Sequence, residues 1–222
     1  MYVVNSPETM EKVLYKVKPN GIADVWLRNN ERVVPATEEN QESYEADEIF
    51  CQVNSAVISK DEIAADFDFW FSVLSLIPDL DANELGSEAR RAAKMSEVSA
   101  ECENTIISGI DVTLGDEVQH FSLTVHDQIN LFGKQAQISA GADKCEYHND
   151  GNPCKFYTAD EMKTIIEAAM SHVSMQQTYC NSMYDWIKSC RYASEIEAIH
   201  YGDDIPEEYQ SVVLKEYRKE KE

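Results

Sequence analysis

Acidic and histidine side chains at metal-ligand spacing are the first place where this chain could do chemistry. Glu197 and His200 form a Glu-x-x-His pair. On a helix this spacing turns both side chains to one face, as in di-iron carboxylate bundles. Such a centre needs two of these pairs and two further glutamates, and the predicted helices supply only this pair. The sequence therefore favours a surface or capping role for both residues.

A second candidate site combines cysteine and histidine. Cys145, His148 and Cys154 could supply three zinc ligands, with Cys180 or Cys190 as the fourth. The spacing lacks the paired second half that structural zinc sites have, so we predict no metal. The six cysteines of the chain are too sparse for a disulfide scaffold, and we expect free thiols. Because Cys145 and Cys154 flank one turn, a bridge between those two stays open.

No established catalytic motif is present in the sequence. The patterns of serine hydrolases, zinc proteases, P-loop proteins, dinucleotide-binding proteins and EF-hands are all missing. The 41 acidic residues guarantee carboxylate pairs somewhere, but nothing singles out one pair as a glycosidase-type dyad. The sequence therefore predicts a protein that is not an enzyme, with no catalytic residue and no cofactor.

Charge limits the classes of partner. The 222 residues carry 41 acidic and 19 basic side chains, for a formal net charge of −22. Such a field repels phosphate backbones and anionic membrane surfaces. The chain begins without a signal segment and holds no apolar run of about 18 residues. We therefore expect no nucleic-acid partner, no membrane partner and no export by a signal peptide.

The elements that position these residues include one pattern that occurs twice. Residues 111–123 read as two short strands joined at Gly115-Asp116. Residues 145–157 read as two more, joined at Asn149-Asp150-Gly151. Apolar alternation on both sides of a glycine-containing turn is typical of a β-hairpin.

A helix cap is predicted directly after each hairpin. Thr124 is followed three residues later by Asp127, and Thr158 by Glu161. A hydroxyl and a carboxylate at this spacing form a capping box, and a helical pattern follows in both cases. Each segment therefore predicts a hairpin, a cap and a helix.

The N-terminal stretch has the period of β-strands. Its alternating apolar positions are Val13, Tyr15 and Val17, then Ala23, Val25 and Leu27, and later Ile49, Cys51 and Val53. Val33-Val34 are predicted to add a third short strand, and the acidic stretch 38–48 reads as a solvated loop. We expect a β-rich N-terminal domain over residues 1–58.

Helices are predicted for residues 59–108. Ser59 and Glu62 form a capping box that opens a helix ending at Pro78, and a second helix begins near Asp81 and ends at Gly109. We interpret this segment as a helical connector to a C-terminal domain over residues 109–222. The predicted fold class is α+β: a β-rich N-terminal part, the helical connector, and a C-terminal tandem hairpin-helix module with one long helix.

The long helix after Thr158 has the clearest periodicity of the chain. Apolar positions at alternating spacings of four and three form a seam: Met162, Ile166, Ala169, Val173, Gln176, Cys180, Met183, Ile187 and Cys190. A second stripe widens this face and supplies our candidate interaction residues: Ile165, His172, Tyr179 and Trp186. So broad a face favours packing inside a helical bundle over an intermolecular coiled coil. A shorter helix over 194–201 and a terminal helix beginning at Pro206 follow, with a charged tail that we expect to fray.

Three segments, residues 101–114, 120–141 and 146–173, resemble a domain of unknown function found in tailed bacteriophages. The matching features are a hairpin that ends in hydroxyls, a helix start, a turn, a cap and a histidine on a long helix. They lie at Ser122 to Thr124, Asp127-Gln128, Asp150-Gly151, Tyr157-Thr158 and His172. Residues 1–28 and 199–210 are also similar to proteins from phages and prophages of Gram-positive gut bacteria.

The resemblance implies a part of the phage tail that works through its surfaces, since genes of that family tend to lie with tail-tip, baseplate and receptor-binding genes. One hypothesis is a structural or adaptor protein of the virion tail, and the tandem hairpins favour it. The other is an assembly chaperone for a tail fibre or receptor-binding protein, and the acidity favours it. The expected partners are other phage tail proteins or further copies of this chain. The expected location is the virion tail, after synthesis in the bacterial host cytoplasm.

Overall fold

The computed structural model describes residues 1–38 and 41–219 and confirms the α+β class, with a β-rich N-terminal part followed mainly by helices. Four antiparallel strands form the N-terminal sheet in the spatial order β1-β4-β3-β2. They are β1 (Tyr2–Ser6), β2 (Val13–Val17), β3 (Ile22–Val34) and β4 (Ser43–Asn54). The predicted alternation sets the faces of this sheet, because Val25, Leu27 and Val53 all point into the core and are fully buried.

The acidic stretch 38–48 departs from its prediction, because β4 begins inside it at Ser43. Two of its carboxylates form ion pairs with the neighbouring strand β3. Glu48 accepts from Arg28 at 2.6 Å, and Glu45 pairs with Arg32 at 3.0 Å. Cross-strand ion pairs of this kind let a charged run form a strand. Residues 39 and 40 of the stretch lie outside the described residues. The third short strand predicted at Val33-Val34 is instead the end of β3.

The segment 59–108 contains three helices and a 3₁₀ turn. These are α1 (Lys60–Ala65), α2 (Phe67–Leu76), the turn Ala82–Leu85 and α3 (Ser87–Ser108). The single helix predicted up to Pro78 is wrong at Asp66, whose φ of −115° and ψ of 32° interrupt it. Asp66 instead accepts hydrogen bonds from the backbone N and Oγ of Ser194, at 3.0 and 2.5 Å. The helix predicted to begin near Asp81 begins at Ser87 instead, after the 3₁₀ turn.

The second half confirms the repeated plan. Its hairpins are β5 (Ile110–Leu114) with β6 (Glu117–Phe121), and β7 (Lys144–Tyr147) with β8 (Lys155–Thr158). Its helices are α4 (Val125–Ser139), α5 (Ala159–Ser189), α6 (Ala193–Glu197) and α7 (Val212–Lys219). The helix predicted over 194–201 thus ends at Glu197, and Pro206 precedes a 3₁₀ turn (Glu207–Tyr209) instead of the terminal helix. Residues 220–222 of the charged tail lie outside the described residues.

The chain divides into two compact units. The first unit is Met1–Lys94 with Ile187–Ile199, and the second is Met95–Trp186 with His200–Glu222. The domain boundaries predicted at residues 58 and 108 fall within these units, and the division into three domains stays a prediction. In the part of the chain that is described, no helix combines the length and the apolar character needed to cross a membrane.

Candidate interaction surface

Both hairpin ends are fixed by local hydrogen bonds. Gly115 opens the first turn with a φ of +62°, which glycine adopts without steric cost and which suits a two-residue hairpin. Thr124 accepts from the backbone N of Asp127 at 3.3 Å, and the Asp127 carboxylate accepts from the backbone N of Thr124 at 3.1 Å. Thr158 and Glu161 exchange the same two bonds at 3.3 and 2.8 Å. Both capping boxes predicted after the hairpins are thereby confirmed.

The capping box predicted at Ser59 is formed only in part. The Ser59 hydroxyl accepts from the backbone N of Glu62 at 3.1 Å, whereas the Glu62 carboxylate accepts from the backbone N of Ser87 at 3.0 Å.

The turn of the second hairpin is bonded to the end of the first. The Asp150 carboxylate accepts from the backbone N of Ser122 at 3.1 Å and from the Ser122 hydroxyl. These bonds hold the pKa of Asp150 below its ordinary value, and the nearby His120 contributes to the same direction. Sequence reasoning named both Ser122 and Asp150, but it gave no signal that they would meet.

His120 lies beside this contact with both ring nitrogens occupied. Its Nδ1 is 2.7 Å from a carboxylate oxygen of Asp111, and its Nε2 is 2.8 Å from the carbonyl oxygen of Ser108. The hydrogen bond to Asp111 is the main reason that the pKa of His120 is raised. Because both neighbours are acceptors, the ring satisfies them together only when both its nitrogens carry a proton.

The four residues predicted to make interactions lie along α5 in different surroundings. Ile165 is fully buried, which argues against its direct contact with a partner. His172 is half-buried, with its Nε2 at 3.2 Å from the carbonyl oxygen of Thr105. Tyr179 is also half-buried and lines a surface pocket together with Tyr201. Trp186 is half-buried as well. The structure therefore gathers no exposed patch from these four, and their interaction role stays a prediction.

An apolar groove between α4 and α5 is the feature that sequence reasoning missed. Leu131 and Phe132 of α4 line it on one side, and Ile166, Met170 and Val173 of α5 on the other, around a volume of about 190 Å³. Three of the seam residues that were predicted to pack inside a bundle, Ile166, Ala169 and Val173, therefore line a surface opening.

The outer face of α4 extends this apolar surface. Val125, Ile129 and Phe132 are 61, 62 and 70% exposed, although all three are apolar. Their spacing of four and then three residues places them in one stripe on the helix. That spacing was visible in the sequence, and it would have marked α4 as carrying an apolar face. The spacing alone does not show whether that face points to the core or to the solvent.

The candidate metal ligands do not converge. Cys145 is buried opposite Tyr157 in the hairpin, whereas Cys154 is exposed, and both are free thiols. Among residues 1–38 and 41–219, no group of three or more histidine, cysteine or acidic side chains is arranged to hold a metal ion. The Cys145–Cys154 bridge that the sequence left open is therefore not formed.

The Glu-x-x-His pair is also separated. Glu197 ends α6 and pairs with Arg90 at 3.1 Å. His200 lies beyond the helix, where its backbone N donates to the Asp203 carboxylate at 2.6 Å. The two side chains thus do not share a helix face.

The family of the chain follows from comparison with known proteins. Residues 89–205 match the model of a domain of unknown function, DUF4376, which is more than half of the chain. The protein therefore belongs to the DUF4376 family. The match includes both hairpins, both capping boxes and the apolar groove. No curated protein matches the chain, and no solved structure does.

Proposed function

We propose that this protein is a non-enzymatic component of a bacteriophage tail, from a phage of a Gram-positive host. In this proposal it is a structural or adaptor protein of the tail tip, the baseplate or the receptor-binding apparatus. It is made in the host cytoplasm, is incorporated into the virion tail, and binds other tail proteins or further copies of itself. The resemblance of its hairpin-helix segments to phage proteins supports the class, and the apolar surface on α4 and α5 supports the mode of action.

The exposed apolar surface is the observation that carries the proposal. Phe132 is 70% exposed, and Met170 across the groove is 53% exposed. Single exposed apolar side chains are ordinary, but a continuous stripe beside an apolar groove is typical of a surface that another protein covers. Interface energy usually concentrates in a few aromatic and large apolar side chains, and Phe132 is placed to be one of them.

Four polar side chains of the hairpin-helix segments have structural partners. The carboxylates of Asp127 and Glu161 are used in helix caps, and that of Asp150 holds Ser122. His120 is held between Asp111 and a backbone carbonyl. Side chains fixed in this way suit a rigid scaffold, and this favours a role in assembly over one in catalysis.

An assembly chaperone for a tail fibre or receptor-binding protein is the second candidate. The formal net charge of −22 favours it, because strong like charge keeps a protein dispersed while it is alone. The two candidates share the binding surface and differ in whether the protein remains in the finished particle.

Quantitative mass spectrometry of purified phage particles separates the two candidates. A structural or adaptor protein is expected at a fixed copy number relative to the other tail proteins. A chaperone is expected to be absent from particles but bound to tail proteins in lysates of infected cells. Absence from both particles and tail-protein complexes would contradict both candidates.

A pair of variants on α4 tests the surface itself. Phe132→Ser removes the most exposed aromatic group of the stripe, whereas Gln135→Ser changes an exposed polar position of the same helix. We expect the first to reduce incorporation or complex formation by tenfold or more, about 1.4 kcal/mol or more. Neither should lower the melting temperature much. Equal incorporation of both variants would show that this stripe is not the interface.

A further inference from the structure

A pocket lined by tyrosines lies in the second unit and shares no lining residue with the apolar groove. Tyr179, Tyr201 and Tyr217 line it, together with Met175 and Arg218. The volume is about 530 Å³, enough for the end of a long side chain. Tyr179 was a predicted interaction residue, whereas Tyr201 and Tyr217 lie on segments in which no interaction residue was predicted.

Two of the rings form a rigid corner. The ring centroids of Tyr179 and Tyr201 are 5.2 Å apart and their planes meet at 90°. The Tyr179 hydroxyl donates to the carbonyl oxygen of Asp203 at 2.7 Å, and the Tyr201 hydroxyl donates to Oε1 of Gln176 at 2.7 Å. Because both hydroxyls already donate hydrogen bonds, the rings are held in place and a guest has the rings to contact instead of free hydroxyl donors. Burial also raises the pKa of both phenols, so the rings stay neutral.

The charge around the pocket bears on whether a cation or an anion can bind there. The Asp204 carboxylate is fully exposed there. It already attracts one cation of this chain, because the Arg218 guanidinium lies 3.5 Å from it. The formal net charge of −22 adds a long-range field that attracts basic groups. Because Arg218 also lines the pocket, the charge of Asp204 is offset locally, and the aromatic rings together with the long-range field favour a cation over an anion.

We infer that this pocket binds a basic side chain, an arginine or a lysine, presented by a partner protein. The π-faces of tyrosine attract guanidinium and ammonium groups, and rings at a right angle can contact one cation from two sides. That the partner is a tail protein rests on the proposed function, but the recognition of a basic side chain does not. Arg218 competes with the guest for Asp204, so the guest gains Asp204 as this internal pair opens.

The test is a titration followed by NMR of the tyrosine ring signals, with acetyl-Gly-Arg-Gly-amide as the probe and acetyl-Gly-Gln-Gly-amide as its neutral control. We expect the arginine peptide to shift the signals of Tyr179, Tyr201 and Tyr217, and the glutamine peptide to leave them in place. Shifts that are equal for both peptides, or that arise only at acidic residues elsewhere, would overturn the inference.

Variants decide whether the rings bind the cation. Tyr217→Phe keeps the aromatic face and should keep the affinity, whereas Tyr217→Leu keeps apolar bulk and should lose about fivefold. Asp204→Asn, at a fully exposed position, should weaken binding about twofold without disturbing α7. Arg218→Gln should strengthen binding about twofold because it frees the carboxylate. Equal affinity of the Phe and Leu variants would show that the probe is attracted only by the acidic surface, and it would overturn the inference. This result would hold whether or not the protein is found in phage particles.

Discussion

Two successive segments of the second unit follow one plan and have different surroundings. Each begins at a left-handed glycine that ends a helix, Gly109 with a φ of +87° and Gly141 with a φ of +97°. Each continues with a hairpin, a threonine capping box and a helix, which is α4 in the first segment and α5 in the second. The local chemistry of the two segments is therefore nearly the same.

The packing around the two segments is where they differ. Of the 15 residues of α4, only Leu131 is buried, whereas α5 buries Met162, Ile165 and Ile166 in its first two turns alone. A β-carbon on Gly109 would lie 2.1 Å from the carbonyl oxygen of Phe121, whereas one on Gly141 would meet nothing within 4 Å. Local signals thus decide where an element begins and ends, and the neighbours decide how much each residue contributes to stability.

The largest expected effect comes from truncating matched apolar residues on the two helices. Met162→Ala on α5 should lower the free energy of unfolding by about 2–5 kcal/mol, because the side chain is fully buried and leaves a cavity. Ile129→Ala on α4 should change it by less than about 0.5 kcal/mol. Urea unfolding measures both. Similar losses at the two positions would show that α4 is covered within the free protein.

The next largest effect is expected at the two glycines. Gly109→Ala combines left-handed backbone strain with a clash against fixed backbone, and we expect a loss of about 3 kcal/mol or more. Gly141→Ala has the strain alone and should cost about 1–2 kcal/mol. Thermal unfolding of the two variants makes the comparison. A loss at Gly141 as large as that at Gly109 would mean that backbone strain, and not the close approach to Phe121, dominates.

The capping boxes should behave alike, in contrast to the glycines. Thr124→Ala and Thr158→Ala each remove a hydroxyl that accepts a bond from the helix start, and each should cost about 1 kcal/mol. Thr→Ser at either position keeps the acceptor and serves as the control. Chemical unfolding measures the four variants. If the alanine at residue 158 were far more costly than the one at 124, the caps would depend on burial and would not be local devices.

The smallest effect is a pH dependence of the first hairpin. The pKa of His120 is raised, so its contribution to stability is complete below its ordinary value of 6.5 and is lost as the pH rises through the raised value. The Asp150 pKa is lowered, so its contribution is present above 3.8 and is lost as the pH falls through the lowered value. His120 is exposed, and we expect less than about 1 kcal/mol from it. Unfolding curves of His120→Gln should lack the loss on the alkaline side that the parent protein shows.

Much of the fold could be predicted because its signals are local. The turn at Gly115-Asp116, the capping box at Thr124, the helix end at Gly109 and the start of α5 each depend on residues no more than a few positions apart. The strands β2 and β3 were also predicted, since alternation over a few residues sets their faces. The fold class could be predicted for the same reason.

The errors have a common physical cause, which is contact between distant residues. The start of β4 was missed because Glu45 and Glu48 look like loop residues until Arg32 and Arg28 neutralise them across the ladder. The break at Asp66 was missed because its partner, Ser194, is 128 residues away. The exposed stripe on α4 was missed for the same reason, because distant residues decide which side of a helix is covered.

The bond between Ser122 and Asp150 has a consequence for the order in which the second unit folds. The pair of Asp111 and His120 spans 9 positions of the chain and can form as soon as the first hairpin closes, whereas Asp150 reaches Ser122 across 28. The helix α4 lies inside that longer loop and has little buried surface of its own to protect it. We therefore expect its amide protons to exchange with solvent at the rate at which the turn of the second hairpin separates from the end of the first. The rate of amide exchange in α4 therefore depends on the bond between Ser122 and Asp150, although both residues lie outside this helix.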